Sequence, residues 1–424
     1  MIKKFRDKNS FLFNVITLVS GTAASQGILL VATPFLTRFY SPDEFGVFAL
    51  YVAIVGIISV VASWKYEMAI LLPKDESDAQ ALLFLSIIIT FITALSVFLF
   101  ILIFNDLLVR HTINFALFRW LVPVGVLVTG LLQVFTAWST RREYFNDIST
   151  SRIALSGTTV LGQLSLKTTK LFSPGLIWGH LFGTLISLVV LVTIFIKKQS
   201  INLRSLQKNK IISNMHSYSN FPKYQSFAVL INSLSQNLPV LLLTLFYQPA
   251  IAGFYSLTHR ALSTPIRLIG GSVRQVFYQN AAKTYSKNKS IKDKFLKTTL
   301  NLGKISIIPY LVLAIFGPTI FKFIFGNEWL ISGIYAQLLI LFFFLMTINP
   351  PAVVAIQILG LQKLNLIYEI LLALFSFAAI YIGFVKFNSH YYSIGMFSIV
   401  GVIFNAWLIY YIYLRISKLN VEIK

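Results

Sequence analysis

Long apolar stretches separated by short polar connections run the whole length of the chain. Twelve are distinguishable, at approximately 12–38, 45–64, 81–104, 115–138, 149–169, 174–196, 221–247, 251–279, 299–321, 331–359, 365–386 and 391–414. Crossing a bilayer takes about 20 mostly apolar residues in helical form. The stretches are too long and too uniformly apolar for the alternation of barrel strands, so each is predicted to be a spanning helix. The fifth, seventh and eighth are the least apolar. They carry Arg152, Lys167, Lys223, Arg260, Arg267 and Arg274, and hydropathy alone can miss them. The N-terminus runs from basic (Lys3, Lys4, Arg6, Lys8) to apolar to small (Gly21, Thr22, Ala23, Ala24), which mimics a secretory leader. The apolar run continues to Phe39, however, and is echoed down the chain, so it is taken as the first span.

Composition agrees with this pattern. Of 424 residues 56% are hydrophobic and only 12% charged, against about 25% charged in soluble domains. A chain of this size with so little polar surface is not an ordinary soluble enzyme. The net charge of +22 would suggest nucleic acid in a soluble protein. Here the basic residues lie mostly between the apolar stretches, so topology explains them and no nucleic-acid partner is expected. With the N-terminus inside, 24 of the 36 Lys and Arg fall in cytoplasmic segments and only 6 in the opposite loops. That bias places both termini in the cytoplasm. There are no cysteines, which excludes thiol chemistry and Cys-based metal sites.

The chain also repeats itself. Residues 36–50, LTRFYSPDEFGVFAL, and 243–257, LTLFYQPAIAGFYSL, share Leu36/Leu243, Thr37/Thr244, Phe39/Phe246, Tyr40/Tyr247, Pro42/Pro249, Gly46/Gly253 and Leu50/Leu257 at one offset of 207. The offset is close to half the chain. It predicts two parallel six-helix halves, residues 1–200 and 217–424, a known transporter plan. A basic cytoplasmic linker, 201–216, joins them. Its Ile201, Leu203, Leu206, Ile211 and Ile212 suggest a short amphipathic helix on the membrane surface. A solvated connector is the plainer alternative.

No catalytic motif stands out. No phosphate-cradling glycine loop with a lysine is present, the five histidines lack metal-ligand spacing, and no cofactor is expected. The distinctive feature is cationic. Arg260, Arg267 and Arg274 recur every seven residues, hence on nearly one helical face, spread over about 21 Å. Arginine facing lipid at mid-membrane costs several kcal/mol, so Arg260 and Arg267 are expected to face a watery cavity or a partner. Guanidinium suits bidentate phosphate binding, whereas structural pairing is the competing reading. Arg274 lies near the cytoplasmic end and can snorkel. Pro265 and Gly270-Gly271 predict a kinked or loosened helix. Gln26 on the first helix, and Asn232, Gln236 and Asn237 on the seventh, form a polar lining suited to sugar hydroxyls or, equally, to interhelical hydrogen bonds.

Four stretches carry a family resemblance: LTRFYSPDEFGVFALY at 36–51, KYEMAILLPKDESDAQALLFLS at 65–86, FGNEWLISGIYAQLL at 325–339 and ILGLQKLNLIYEI at 358–370. In this order and spacing they resemble the Wzx-type polysaccharide flippases of O-antigen and capsular repeat units. Those belong to the multidrug/oligosaccharidyl-lipid/polysaccharide exporter superfamily. The resemblance implies an all-α polytopic membrane protein with about twelve transmembrane helices in two six-helix bundles around a central cavity. It implies translocation of an undecaprenyl-diphosphate-linked oligosaccharide across the bacterial inner membrane by alternating access. Its implied partners are that lipid-linked oligosaccharide, membrane lipids, and polysaccharide polymerase and chain-length proteins. The cavity cations it implies map here onto Arg260 and Arg267, with Arg274, Arg38, Lys65, Arg142 and Lys223 as further candidates. Glu67 is the candidate for a coupling site or ion-pair gate, with a local pair to Lys65 as the alternative.

Three other functions compete. A multidrug or cationic-solute exporter on the same fold would place acids in its helices. A flippase for the peptidoglycan lipid precursor usually has helices beyond twelve. A membrane-embedded glycosyltransferase or polymerase would want carboxylates and a long outer loop, which are not found here.

Overall fold

A computed structural model describes residues 11–106, 116, 118–167, 174–198, 208–285 and 290–422. The basic N-terminal residues and the first part of the linker, 201–207, lie outside these. The described chain is helical throughout. Its helices are α1 (Phe11–Phe39), α2 (Pro42–Ser59), α3 (Tyr66–Ala69), α4 (Glu76–Ile103), α5 (Leu121–Arg141), α6 (Phe145–Leu166), α7 (Gly175–Lys198), α8 (Lys208–Ser217), α9 (Ser226–Phe246), α10 (Pro249–Tyr285), α11 (Lys292–Phe325), α12 (Leu330–Ile348), α13 (Pro350–Ile358), α14 (Gln362–Phe387) and α15 (His390–Glu422).

Ten of the described helices are long and apolar enough to cross a membrane. The fifth and eighth expected spans are α6 and α10, of 22 and 37 residues, whose polar faces keep them below that threshold. With these two, the twelve expected helices are in place. The tenth differs from expectation: 331–359 is not one helix but α12 and α13, broken at Asn349. Pro350 and Pro351 lack the N–H groups that would continue the ladder. The linker helix α8 begins at Lys208, so Ile211 and Ile212 lie on it.

The chain divides into two compact units, Met1–Tyr40 with Val47–Asn237, and Ser41–Gly46 with Leu238–Lys424. In the first unit α6 packs tightly on both α1 and α7. A Cβ at Gly179 would come within 2.5 Å of the Gln163 backbone nitrogen, and one at Gly162 within 3.0 Å of Gly179 Cα. Small residues give this closeness where lipid supplies no hydrophobic drive between helices. Ser149, Arg152, Ser156, Thr159 and Gln163 recur at steps of three and four, so they form one polar stripe on α6. Ser149 donates to the Thr17 carbonyl (2.9 Å), Arg152 to the Thr22 hydroxyl, and Gln163 to the Leu176 carbonyl (3.0 Å). In the second unit a core of Phe277, Phe295, Ala352, Tyr368, Leu408 and Ile412 draws α10, α11, α13, α14 and α15 together.

The internal repeat has a structural counterpart. Tyr40 donates its hydroxyl to the Gln163 carbonyl (2.5 Å) in the α6–α7 hairpin. Its repeat mate Tyr247 bonds the Ser393 hydroxyl (2.9 Å) in the α14–α15 hairpin. Within the second unit the two copies also touch. A Cβ at Gly46 would overlap the Pro249 carbonyl, and one at Gly253 would overlap the Pro42 carbonyl. These two contacts exchange under the offset of 207. Ser41 and Glu44 form a reciprocal capping box at the start of α2, with Ser41 N donating to Glu44 Oε2 (2.8 Å). The second copy has no such box. There the Ala250 N–H at the start of α10 donates to Asp43 Oδ1 (3.2 Å), so the first copy caps the helix of the second.

Candidate functional site

The cationic stripe is built on α10. Its packed face carries Leu262, Ser263, Ile266, Gly270, Phe277 and Ala281, at helical spacing and all buried. Thr258 donates to the Ser332 carbonyl (2.8 Å), Ser332 donates to the Phe254 carbonyl (3.1 Å), and Gly270 sits against Pro350. These contacts fix α10 against α12 and α13. The arginines lie elsewhere on the cylinder. Arg260 is half-buried, and Arg267 and Arg274 are exposed. Arg267 follows Arg260 by seven residues, about 10.5 Å along the helix axis. Among the described residues Arg267 and Arg274 make no hydrogen bond or ion pair. The helix holds three arginines, His259 and Lys283 and not one acid. The three arginines therefore share a helix that carries no carboxylate.

Pro265 lies inside α10, two residues from Arg267, and is exposed. It removes the N–H that would reach back to Ala261. Thr264 meanwhile bonds the Arg260 carbonyl (2.7 Å), which also tends to bend a helix. The expected kink site therefore separates Arg260 from Arg267.

The other sequence-predicted cations fall in the first unit. Lys65 is buried and its ammonium meets Glu67 Oε1 at 3.0 Å, while Ser63 donates to the other carboxylate oxygen. Trp64 and Lys65 both hold positive φ, 51° and 63°, with no glycine at either position. Such backbone persists only where its surroundings impose it, and the buried ion pair is the visible restraint. Arg142 pairs with Glu76 and lies 5.3 Å from the Trp138 ring, and Arg141 donates to the Ile70 carbonyl (2.9 Å). The linker helix α8 docks on the same end: Tyr66 donates to the Met215 carbonyl (2.9 Å), Lys210 to Ser77 (2.8 Å) and Asn214 to Asp78 (3.2 Å). Burial pushes the Tyr66 phenol above its ordinary range, which keeps it a donor. Lys65 and Arg142 are thus each paired with a carboxylate. Arg38 and Lys223 are exposed, at the end of α1 and in the π-turn before α9.

The polar lining is partly self-paired. Gln236 donates to Asn232 (2.7 Å) and Asn237 to the Ser233 carbonyl (2.9 Å), whereas Gln26 is half-buried on α1. Arg152, facing α1, was not singled out as a site residue from sequence. The stripe of polar residues on α6 is the signal that points to it.

If the Lys65–Glu67 pair is structural, Glu67→Ala strands a buried ammonium and lowers stability by about 3–5 kcal/mol. The double variant Lys65→Met/Glu67→Leu restores most of the melting temperature. Thermal unfolding of the purified variants checks this. A double variant that melts normally but no longer supports transport would make Glu67 a coupling site instead.

The sequence signature of the family described as polysaccharide biosynthesis protein spans residues 35–333. A teichuronic acid biosynthesis protein, TuaB of Bacillus subtilis (strain 168), is 24% identical over 215 residues. That match covers 50% of this chain and 43% of the relative, so the chain spans less than half the length of the curated relative it matches. An inward-facing multidrug resistance MATE family transporter of the MOP superfamily superposes with a TM-score of 0.74 at 14% identity, covering 93% of this chain and 95% of that one. The lipid II flippase MurJ, in an inward closed conformation, gives a TM-score of 0.69 at 14% identity over 96% and 90% of the two chains. The fold is therefore that of MOP-superfamily transporters, and the ten long apolar helices are those of a multi-pass membrane protein. With the family signature running through most of the sequence, the chain belongs to the polysaccharide biosynthesis protein family.

Proposed function

We propose that the chain is a flippase that carries an undecaprenyl-diphosphate-linked oligosaccharide repeat unit across the bacterial inner membrane for surface polysaccharide assembly, with both termini cytoplasmic. The observation that carries this reading is the acid-free stripe of Arg260, Arg267 and Arg274 on a spanning helix. A diphosphate is the group such a stripe suits, through charge-assisted and bidentate hydrogen bonds. Family membership in polysaccharide biosynthesis supports a glycan cargo, and amides such as Gln236 supply groups for sugar hydroxyls. Pro265 within the stripe lets α10 change its bend, so the arginines are offered to one leaflet and then the other. Polymerase and chain-length proteins would receive the cargo on the far side.

The test is loss and rescue in the source cell. Removing the chain should abolish surface polysaccharide and make the lipid-linked repeat unit accumulate on the cytoplasmic side. Cells that keep their surface polysaccharide but become sensitive to cationic dyes would instead identify a cation exporter. That reading shares the fold, but the stripe has the wrong sign for its cargo. A peptidoglycan precursor flippase shares the diphosphate chemistry and is separated by phenotype, since its loss would stop cell-wall growth.

A further inference from the structure

Between the ends of α10 and α11 that the charge bias assigns to the cytoplasm lies a cleft of about 580 Å³, lined by Val273, Val276, Phe277 and Asn280 from one helix and Lys294, Lys297 and Thr298 from the other. Each set falls on one helical face, at steps of three and four. The lining is graded along the helix axes. Lys294 donates to the Asn280 carbonyl (3.2 Å) and the Thr284 hydroxyl (2.5 Å), which marks the polar mouth. Val273, Val276 and Phe277 continue one to two turns away from it, and Val276 is 60% exposed although it is apolar. Both bonds of Lys294 are to neutral acceptors, so its charge is not neutralised. Lys297 makes no hydrogen bond or ion pair among the described residues, and the lining contains no acid.

We propose that this cleft is a binding site for an anionic phospholipid of the cytoplasmic leaflet. Its phosphate sits between Lys294 and Lys297, within reach of Asn280 and Thr298, and one acyl chain lies along Val273, Val276 and Phe277. The chemistry fits on three counts. Two unneutralised ammonium groups at the membrane surface attract anionic headgroups. Ammonium groups act as point charges, which suits a phosphodiester that needs no bidentate recognition. The apolar wall starts at the headgroup level and gives an acyl chain somewhere to lie. The lipid-linked oligosaccharide is a poorer fit, because the cleft offers two amide or hydroxyl side chains and no exposed aromatic to read a sugar.

The absence of cysteine makes a direct test available. Tyr278 is exposed beside the cleft without lining it, so the full-length Tyr278→Cys variant carries a single thiol for a fluorophore. Quenching is then titrated in nanodiscs with brominated phosphatidylglycerol and brominated phosphatidylcholine. The expected result is a clear preference for phosphatidylglycerol that falls about fivefold for each of Lys294→Gln and Lys297→Gln and survives Lys297→Arg. High salt should reduce the same preference in the unsubstituted cleft, a readout that needs no substitution at the lysines. Equal quenching by the two lipids overturns the proposal, as does a preference that persists in the double Gln variant. Stronger displacement by polyprenyl phosphate than by phosphatidylglycerol would also overturn it, and would make the cleft an entry station for the carrier.

Discussion

Arg267→Ala is expected to abolish surface polysaccharide while leaving the protein inserted and stable. Arg267 is exposed on α10 and makes no hydrogen bond or ion pair among the described residues, so its truncation breaks no polar contact there. What it removes is the charge offered to the cargo. Hydrogen bonds to charged groups contribute about 1.5–3 kcal/mol each. Loss of a bidentate contact of about 3 kcal/mol corresponds to roughly a hundredfold in affinity. Arg267→Lys keeps the charge and loses the fork geometry, so part of the display should remain. Arg274→Ala, nearer the helix end, should have the smaller effect. Glycan display scored beside protein level and melting temperature reads all three. Normal display in the Ala variant would remove the stripe from the transport path.

Gly46→Val is expected to have the largest effect on folding. Its Cβ would overlap the Pro249 carbonyl, which belongs to backbone and cannot swing aside. The same holds for Gly253 against Pro42. Overpacking typically costs about 1–3 kcal/mol, and a clash with main chain belongs at or above the top of that range. Separating the two helix starts would also pull Asp43 away from the Ala250 N–H and uncap α10, adding about 1 kcal/mol. Gly56 on the same helix has nothing within 4 Å of its Cβ position, so Gly56→Ala serves as the neutral or slightly stabilising control. The measurement is the yield and melting temperature of monodisperse protein. A Gly46→Val variant as stable as Gly56→Ala would contradict the tight contact between the repeats.

The spans were legible because each needs only a long apolar run; α6 and α10 are among the least apolar, and the charge bias supports the division that includes them. The Pro and Gly pairs of the repeat were equally legible, since both copies carry them at one offset. Its consequence, that Asp43 caps the partner copy's helix, depends on packing that no local pattern encodes. The break at Asn349 was obscured because Pro350 and Pro351 sit in an otherwise apolar run. The left-handed turn at Trp64 and Lys65 carries no glycine to announce it. The cationic candidates separated along a physical line. An arginine on a helix with no acids, such as Arg267, can be picked out from sequence. Whether Lys65 or Arg142 finds Glu67 or Glu76 depends on how chain segments meet in space.

Reconstitution is the direct test of translocation of a lipid-linked oligosaccharide. The purified chain is placed in vesicles carrying a labelled polyprenyl-diphosphate oligosaccharide in both leaflets, and an impermeant glycosidase or lectin reads the outer one. The protected inner pool should become accessible with the unsubstituted chain and stay protected with Arg267→Ala. An inner pool that remains protected with the unsubstituted chain, in vesicles where a cationic dye is transported, would contradict it.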